Sequence, residues 1–334
     1  MKVQARDIYI YLMKHSTKFI CLLVLILSFT IPFIPGVDAR LIEVLIIMYV
    51  FIMFSSAWNL LAYSGQASLG HSAFLGLGAY TSVIIAKMFN LNPLITVIIG
   101  GLFTAIIGLL IGLTCVRLRE WFLAMVTFGF AIIIHTITVE LSGITGGHDG
   151  LPTKHLVSAS VLTITRYRNE YYIILIFTIL SIYIINTVIK SKIGLAFEAI
   201  RENELEAKVM GIDTTKYKLI GFALSAFFSG IAGALMIHHI GYLTPDIYSI
   251  ENSFRPIIYC ISGGLFTIEG PIIGTFIITV IWDGLKYFGL IYEHLVIIGL
   301  LLILIVIFLP RGFISIFEDI NKRFRSVTYQ DTTS

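Results

Sequence analysis

The sequence predicts an all-α polytopic membrane protein with about ten transmembrane helices, or eight if one hairpin does not cross. Of its 334 residues, 57% are hydrophobic and 13% are charged, whereas soluble domains carry about 25% charged residues. The apolar residues form long unbroken runs, which indicate helices because barrel strands alternate polar and apolar residues. The net charge of +3, spread over dispersed basic residues, excludes a nucleic-acid-binding protein.

Hydropathy divides the chain into ten predicted spans, since each crossing needs about 20 mainly apolar residues. They are Lys18–Ile34, Leu41–Tyr63, Ala67–Met88, Leu94–Val116, Trp121–Leu141, Tyr171–Ile189, Lys218–Ile240, Phe254–Phe266, Gly270–Phe288 and Glu293–Leu309. The first run lacks a small-residue cleavage site, so we expect an uncleaved span. The eighth is too short to cross upright and is expected to be tilted, broken or re-entrant.

The distribution of Lys and Arg predicts the orientation. Sixteen of these residues fall on one side of the predicted spans and seven, including Arg255, on the other. The side richer in basic residues stays in the cytoplasm. Both termini are therefore expected in the cytoplasm. The prediction divides the chain into a cytoplasmic segment (1–17), a membrane domain (18–313) and a cytoplasmic tail (314–334), with an external loop at 142–170 and a cytoplasmic loop at 190–217.

Two spans carry unusual polar or small residues. In the seventh span, small residues repeat every four positions, which predicts close helix packing; these residues are Gly221, Ser225, Ser229 and Gly233. The third span begins with hydrogen-bonding side chains among five glycines, which would allow a broken helix; the polar residues are Gln66, Ser68, His71 and Ser72. Such groups either line a solute path or link neighbouring helices, and both alternatives stay open.

The cytoplasmic loop has the pattern of a short capped helix. Asn203 is a helix cap with Glu206 three residues on, Gly211 is placed to end the helix, and Glu204 and Lys208 form a favourable i,i+4 pair. The apolar residues beside these charges are Leu205, Val209 and Met210. A helix with such a stripe is expected to contact the bilayer surface or another protein.

Several motifs, in order along the chain, resemble those of bacterial branched-chain amino acid ABC transporter permeases. The first is Ser64–Thr81, with Ser-Leu-Gly-His at its centre, and the second, Ile144–Leu151, resembles the external segment of the LivM type. Residues 198–219 look like the family's cytoplasmic loop, except that Asn203 stands where the general importer pattern has glycine. Gly263–Pro271 resembles a family turn in which Phe266 replaces the usual glycine. With Pro310-Arg311-Gly312, the resemblance covers about residues 41–313.

The resemblance implies one subunit of a larger importer in a bacterial or archaeal inner or plasma membrane. Such a permease pairs with a second permease of the LivH type, two cytosolic ATPase subunits and an external solute-binding protein, and carries Leu, Ile or Val. The sequence contains no Gly-x-x-x-x-Gly-Lys-Ser/Thr run, which a P-loop requires. We therefore expect ATP and Mg to bind the partner ATPases, and no cofactor, metal site or enzymatic activity in this chain.

The resemblance also assigns roles to individual residues. The predicted translocation path contains Asn59, Gln66, Ser68, His71 and Ser72. The predicted ATPase-coupling residues are Glu198, Arg201, Glu202, Glu204, Leu205, Lys208 and Gly211. The residues predicted to dock the binding protein are Gly146, Gly147, His148 and Asp149.

Two alternative functions remain. The same importer class could carry urea or a short-chain amide, because those permeases are very similar. An ion-coupled secondary transporter would instead place acidic groups or ion sites at the membrane midplane. Most acidic residues of this chain fall in loops or near span ends, which counts against that alternative.

Overall fold

The computed structural model describes residues 28–34, 38–118, 120–157, 163–287, 289–290 and 293–315. Its helices are α1 (Ala39–Tyr63), α2 (Ser72–Met88), α3 (Pro93–Cys115), α4 (Glu120–Glu140), α5 (Ser142–Thr145), α6 (Thr163–Ile189), α7 (Lys192–Glu202), α8 (Glu204–Val209), α9 (Thr214–Ile240), α10 (Ile250–Gly263), α11 (Glu269–Tyr287) and α12 (His294–Phe308). Two short strands, β1 (Leu151–Pro152) and β2 (Tyr242–Leu243), pair antiparallel. Most of the predicted span Lys18–Ile34, segment 1–17 and most of tail 314–334 lie outside the described residues.

The predicted all-α membrane architecture is confirmed. Within the described residues, five helices are long and apolar enough to cross a membrane: α1, α3, α4, α6 and α9. Shorter apolar helices occur at Ser72–Met88 and Val296–Phe308. Each predicted span from the second to the tenth coincides with a helix, although the number of crossings and the orientation stay predictions.

Helices α1 and α9 form the centre of the bundle. Their most apolar windows are 72% and 78% buried, against 22% to 33% for α3, α4 and α6. Small residues allow this close packing. A Cβ on Gly233 of α9 would lie 1.9 Å from the carbonyl oxygen of Leu75 in α2, and one on Gly221 would lie 2.7 Å from Ser64 Oγ. The exposed apolar faces of α3, α4 and α6 are the surfaces suited to lipid.

Two helices begin at the middle of the bundle. Helix α2 starts at Ser72 rather than at the predicted Ala67, because a non-helical segment with Gly65 at φ 74° precedes it. His71, which precedes the first residue of α2, contacts Ser229, close to the middle of α9. Helix α10 starts nearby, since Ser253 Oγ lies 2.6 Å from Ser72 Oγ. Irregular backbone at membrane depth is tolerated here because it is buried in protein.

From this junction the two short helices run to opposite ends of the bundle. Helix α2 ends on the side where Ser82 contacts His238, near the end of α9. Helix α10 ends on the other side, where Asn59 near the end of α1 donates to the Thr267 carbonyl and Arg201 of α7 stacks on Phe266. The loops that the sequence predicts as external and those that it predicts as cytoplasmic therefore lie at different ends.

The predicted external loop is shorter than expected. The predicted loop includes Thr163–Glu170, but these residues form the first turns of α6. Their charged side chains lower the local hydropathy, which hides the helix from a hydropathy scan. Glu170 is nevertheless buried, and its carboxylate lies 2.6 Å from Nδ1 of His239 on α9. A partner inside the bundle therefore compensates for burying this carboxylate.

Candidate transport and docking sites

The predicted path residue His71 is fully buried between helices of this chain. Its Nε2 atom shares hydrogen bonds with Ser225 (3.1 Å) and Ser229 (2.9 Å) of α9. Its ring also packs between Phe54 and Phe74, with centroid distances of 5.4 and 5.3 Å. Ser225 Oγ in turn donates to the Ala57 carbonyl of α1 at 2.6 Å. Ser225 and Ser229 thus connect α9 both to His71, at the start of α2, and to α1.

The other predicted path residues are also buried and make links across the bundle. Gln66 Nε2 donates to the Lys218 carbonyl of α9 at 3.0 Å, and Ser72 links α2 to Ser253 of α10. The Ser68 side chain is buried, and its carbonyl accepts from Trp58 Nε1 at 2.8 Å. Of the two alternatives that the sequence left open, these contacts favour polar links between helices.

Asn59 has a distinct local role at the turn before α11. Its Nδ2 donates to the Thr267 carbonyl at 2.7 Å, and its Oδ1 accepts from Phe266 N at 3.2 Å. Phe266 has φ 59°, a left-handed conformation that favours glycine. The Arg201 guanidinium stacks 4.4 Å from the Phe266 ring. These contacts stabilise the left-handed conformation of Phe266, at a position where the family that this sequence resembles usually has glycine.

The predicted cytoplasmic loop folds as two short helices joined at Asn203. Asn203 Oδ1 accepts from Leu205 N (3.0 Å) and Glu206 N (3.3 Å), which confirms the predicted cap. Gly211 has φ 86° just beyond α8, which fits the predicted helix end. The predicted pair of Glu204 with Lys208 is present at 2.9 Å.

Glu204 also holds α8 against α9. Its second carboxylate oxygen lies 2.5 Å from Lys218 Nζ, and its first accepts from Thr214 Oγ1 at 3.2 Å. Partial burial acts to raise the pKa of Glu204, but hydrogen bonds from Lys218 and Lys208 outweigh burial and lower that pKa below its ordinary value. Glu204 is therefore ionised at neutral pH and stabilises the loop from within.

The predicted coupling residues fall into an inner and an outer group. Arg201 faces inward and stacks on Tyr63 and Phe266, whereas Glu198 and Glu202 are exposed. Three apolar side chains in and just after α8 point outward. They form the α8 patch, which consists of Leu205, Val209 and Met210, and they are 74%, 87% and 83% exposed. This apolar patch at a charged end of the bundle is a surface suited to a partner.

The predicted docking loop at the other end is a tight glycine turn. Gly146, Gly147 and Gly150 all have positive φ, and a Cβ on Gly146 would lie 2.1 Å from the Gly150 carbonyl oxygen. The turn leads into β1, which pairs with β2 after α9. His148 and Asp149 are exposed at its tip. The glycines therefore shape the loop, and these two side chains are free to contact a partner.

An ion pair that the sequence did not reveal lies at the middle of the bundle. The prediction that Arg255 is an external basic residue is wrong, because its guanidinium lies 4.9 Å from the ring of Phe51, the middle residue of α1. Its partner is Glu251, at 2.6 Å. The Glu-x-x-x-Arg spacing beside an unusually short span was the available signal. When Arg255 is no longer counted on the external side, the predicted excess of Lys and Arg on the cytoplasmic side becomes larger.

The chain is similar to permease proteins over most of its length. The family model described as "Branched-chain amino acid transport system / permease component" matches residues 40–306. The high-affinity branched-chain amino acid transport system permease protein LivM of Escherichia coli K12 is 26% identical over 90% of this chain and 75% of its own length. In Methanocaldococcus jannaschii, a probable LivM is 23% identical over 70% of this chain and 74% of its own length. A probable LivH from that organism is 25% identical over 64% of this chain and 69% of its own length.

No solved structure matches the chain. The family match nevertheless covers far more than half of it, from residue 40 to residue 306. The chain belongs to the family of branched-chain amino acid transport system permease components and is of the LivM type.

Proposed function

We propose that this chain is one of two membrane subunits of an ATP-driven importer for Leu, Ile and Val. The second permease is of the LivH type, two cytosolic ATPases supply the energy, and an external binding protein delivers the solute. Both termini lie in the cytoplasm of a cell whose inner or plasma membrane holds the complex. The chain itself carries no cofactor, and ATP and Mg bind the ATPase subunits.

The family match over residues 40–306 carries this proposal. The α8 patch supports the position of the ATPase. It exposes three apolar side chains in a segment whose charged residues are largely engaged in ion pairs, so a partner cleft could bury the patch without breaking those pairs. His148 and Asp149, at the other end of the bundle, are the side chains proposed to contact the binding protein.

The proposed transport cycle is alternating access. ATP binding and hydrolysis move the ATPases, and the α8 patch transmits this movement to α9 through the Glu204–Lys218 pair. The closely packed α1, α2 and α9 then move as a body. We propose that Asn59, Gln66, Ser68, His71 and Ser72 serve the path by linking the helices that border it.

The first test is purification of this chain from its native membrane in mild detergent, followed by mass spectrometry. The expected result is co-purification with a second permease and P-loop ATPases. A folded chain that purifies alone in good yield would contradict the importer class. Uptake of labelled leucine by the reconstituted complex, with valine, isoleucine and urea as competitors, then identifies the solute. Competition by urea and not by valine would overturn the amino-acid assignment.

Substitution in the α8 patch tests the coupling surface. The double variant Leu205→Asp with Val209→Asp leaves Glu204 and its lysine partners intact, so α8 should still fold. We expect at least a tenfold loss of ATPase co-purification, because buried charges oppose docking. Met88→Asp, which changes another exposed apolar residue at the opposite end, is the matched control and should retain the ATPases. If the double variant still binds the ATPases as well as the wild type does, α8 is not part of the coupling surface.

A further inference from the structure

The Glu251–Arg255 ion pair lies at the depth of the membrane centre. Arg255 stacks between Phe51, the middle residue of α1, and Trp282 of α11, at 4.9 and 4.6 Å from their ring centroids. Twelve residues of α1 separate Phe51 from either end of that helix, which is about 18 Å at 1.5 Å per residue. This places the guanidinium beside the middle of α1, about as far from one end of that helix as from the other.

The charges of α10 are exceptional among the described helices. In the other long helices, Asp, Glu, Lys and Arg lie within about two turns of a helix end. Helix α10 reaches the centre because it begins there, beside Ser72 at the start of α2. Ionisable side chains at this depth are costly and mark solute pathways or proton relays. A role in transport would explain why the protein retains an ion pair at this costly position.

The ion pair is also accessible from outside this chain. The side chains of Glu251 and Arg255 are 43% and 21% exposed, and the face includes Phe254, one turn along the helix. In contrast, the buried polar residues around His71 are closed off by protein. A charged, partly exposed face at the depth of the hydrocarbon is unsuited to lipid and suited to a wet path.

We infer that Glu251, Phe254 and Arg255 line the translocation path and bind the solute as an amino-acid zwitterion. The solute ammonium group donates to the Glu251 carboxylate, and its carboxylate accepts from the Arg255 guanidinium, so one internal ion pair is exchanged for two. Phe254 contacts the apolar side chain. This inference rests on the proposed function.

Cysteine labelling tests whether the face borders water. Phe254→Cys keeps the ion pair and is placed in a chain with Cys21 changed to alanine; Cys115 and Cys260 are buried and should stay unreactive. In the assembled transporter, a charged, membrane-impermeant methanethiosulfonate should modify this cysteine, and saturating leucine with its binding protein should slow the reaction at least about threefold. Ile303→Cys, an exposed apolar position near the middle of α12, is the lipid-facing control and should not react. No reaction at position 254, with or without ATP, would overturn the inference.

Charge variants separate solute binding from a structural pair. Glu251→Gln and Arg255→Gln should each reduce leucine uptake at least about tenfold while ATPase co-purification stays unchanged, since each removes one charge-assisted bond to the solute. The swap Glu251→Arg with Arg255→Glu can re-form the pair in the reverse order. A structural pair predicts restored uptake in the swap, which would overturn the inference; solute binding predicts that uptake stays low.

Failure of this inference is distinguishable from failure of the proposed function. If the wild-type complex imports leucine and the Gln variants import it equally well, the site is wrong and the function stands. If the wild-type complex imports none of the three amino acids, the solute assignment is wrong. Labelling at position 254 without solute still reports whether the face is wet.

Discussion

At the scale of single residues, buried polar groups in this protein act mainly by joining helices. His71 shows this most clearly, because its one bonded nitrogen reaches two serines four residues apart on α9. The sequence revealed the polar cluster and the serine row separately. It could not reveal that they meet, because that contact depends on the break before α2, which sets the depth of His71. The same break explains why the residues predicted for the path are found buried.

Substitution of His71 tests the linking role. His71→Leu introduces an apolar side chain of similar size and leaves Ser229 without its imidazole partner, so we expect a loss of about 1–2 kcal/mol in stability. Thermal unfolding in detergent measures it. Ser229→Ala should cost a similar amount, and the double variant should cost less than the sum of the two, since both remove one interaction. Full stability combined with lost uptake would instead assign His71 to the solute path.

At the scale of elements, the sequence predicted correctly those features that depend on residues close together in the chain. The Asn203 cap, the turn at Gly211 and the Glu204–Lys208 pair all follow from spacing within one helix, and all are present. The misplaced features depend on distant contacts. In the early turns of α6, Glu170 pairs with His239 on α9, and near the start of α10, Ser253 meets Ser72. Hydropathy cannot report such pairings.

The packing of α2 against α9 rests on glycine at their crossing. A Cβ on Gly78 would lie 2.2 Å from the Gly230 carbonyl oxygen and 2.3 Å from its Cα, so Gly78→Ala must push the helices apart. We expect a loss of about 1–3 kcal/mol, and a lower unfolding temperature in detergent. Gly129→Ala is the control, because a Cβ on this glycine of α4 meets nothing within 4 Å. The control should be neutral or slightly stabilising, since alanine favours a helix. Equal losses of stability in both variants would show that the contact between α2 and α9 is not the cause.

At the scale of the whole molecule, the arrangement has two different ends, and coupling requires them to face different compartments. At one end, the α8 patch exposes Val209; at the other, the glycine turn exposes Asp149. The charge asymmetry predicts that the α8 end is cytoplasmic. In intact cells, with Cys21 changed to alanine, a membrane-impermeant thiol reagent should therefore label Asp149→Cys directly. Val209→Cys should be labelled only after permeabilisation. Labelling of Val209→Cys in intact cells would place α8 outside, where no cytosolic ATPase reaches it, and would overturn the orientation together with the coupling mechanism built on it.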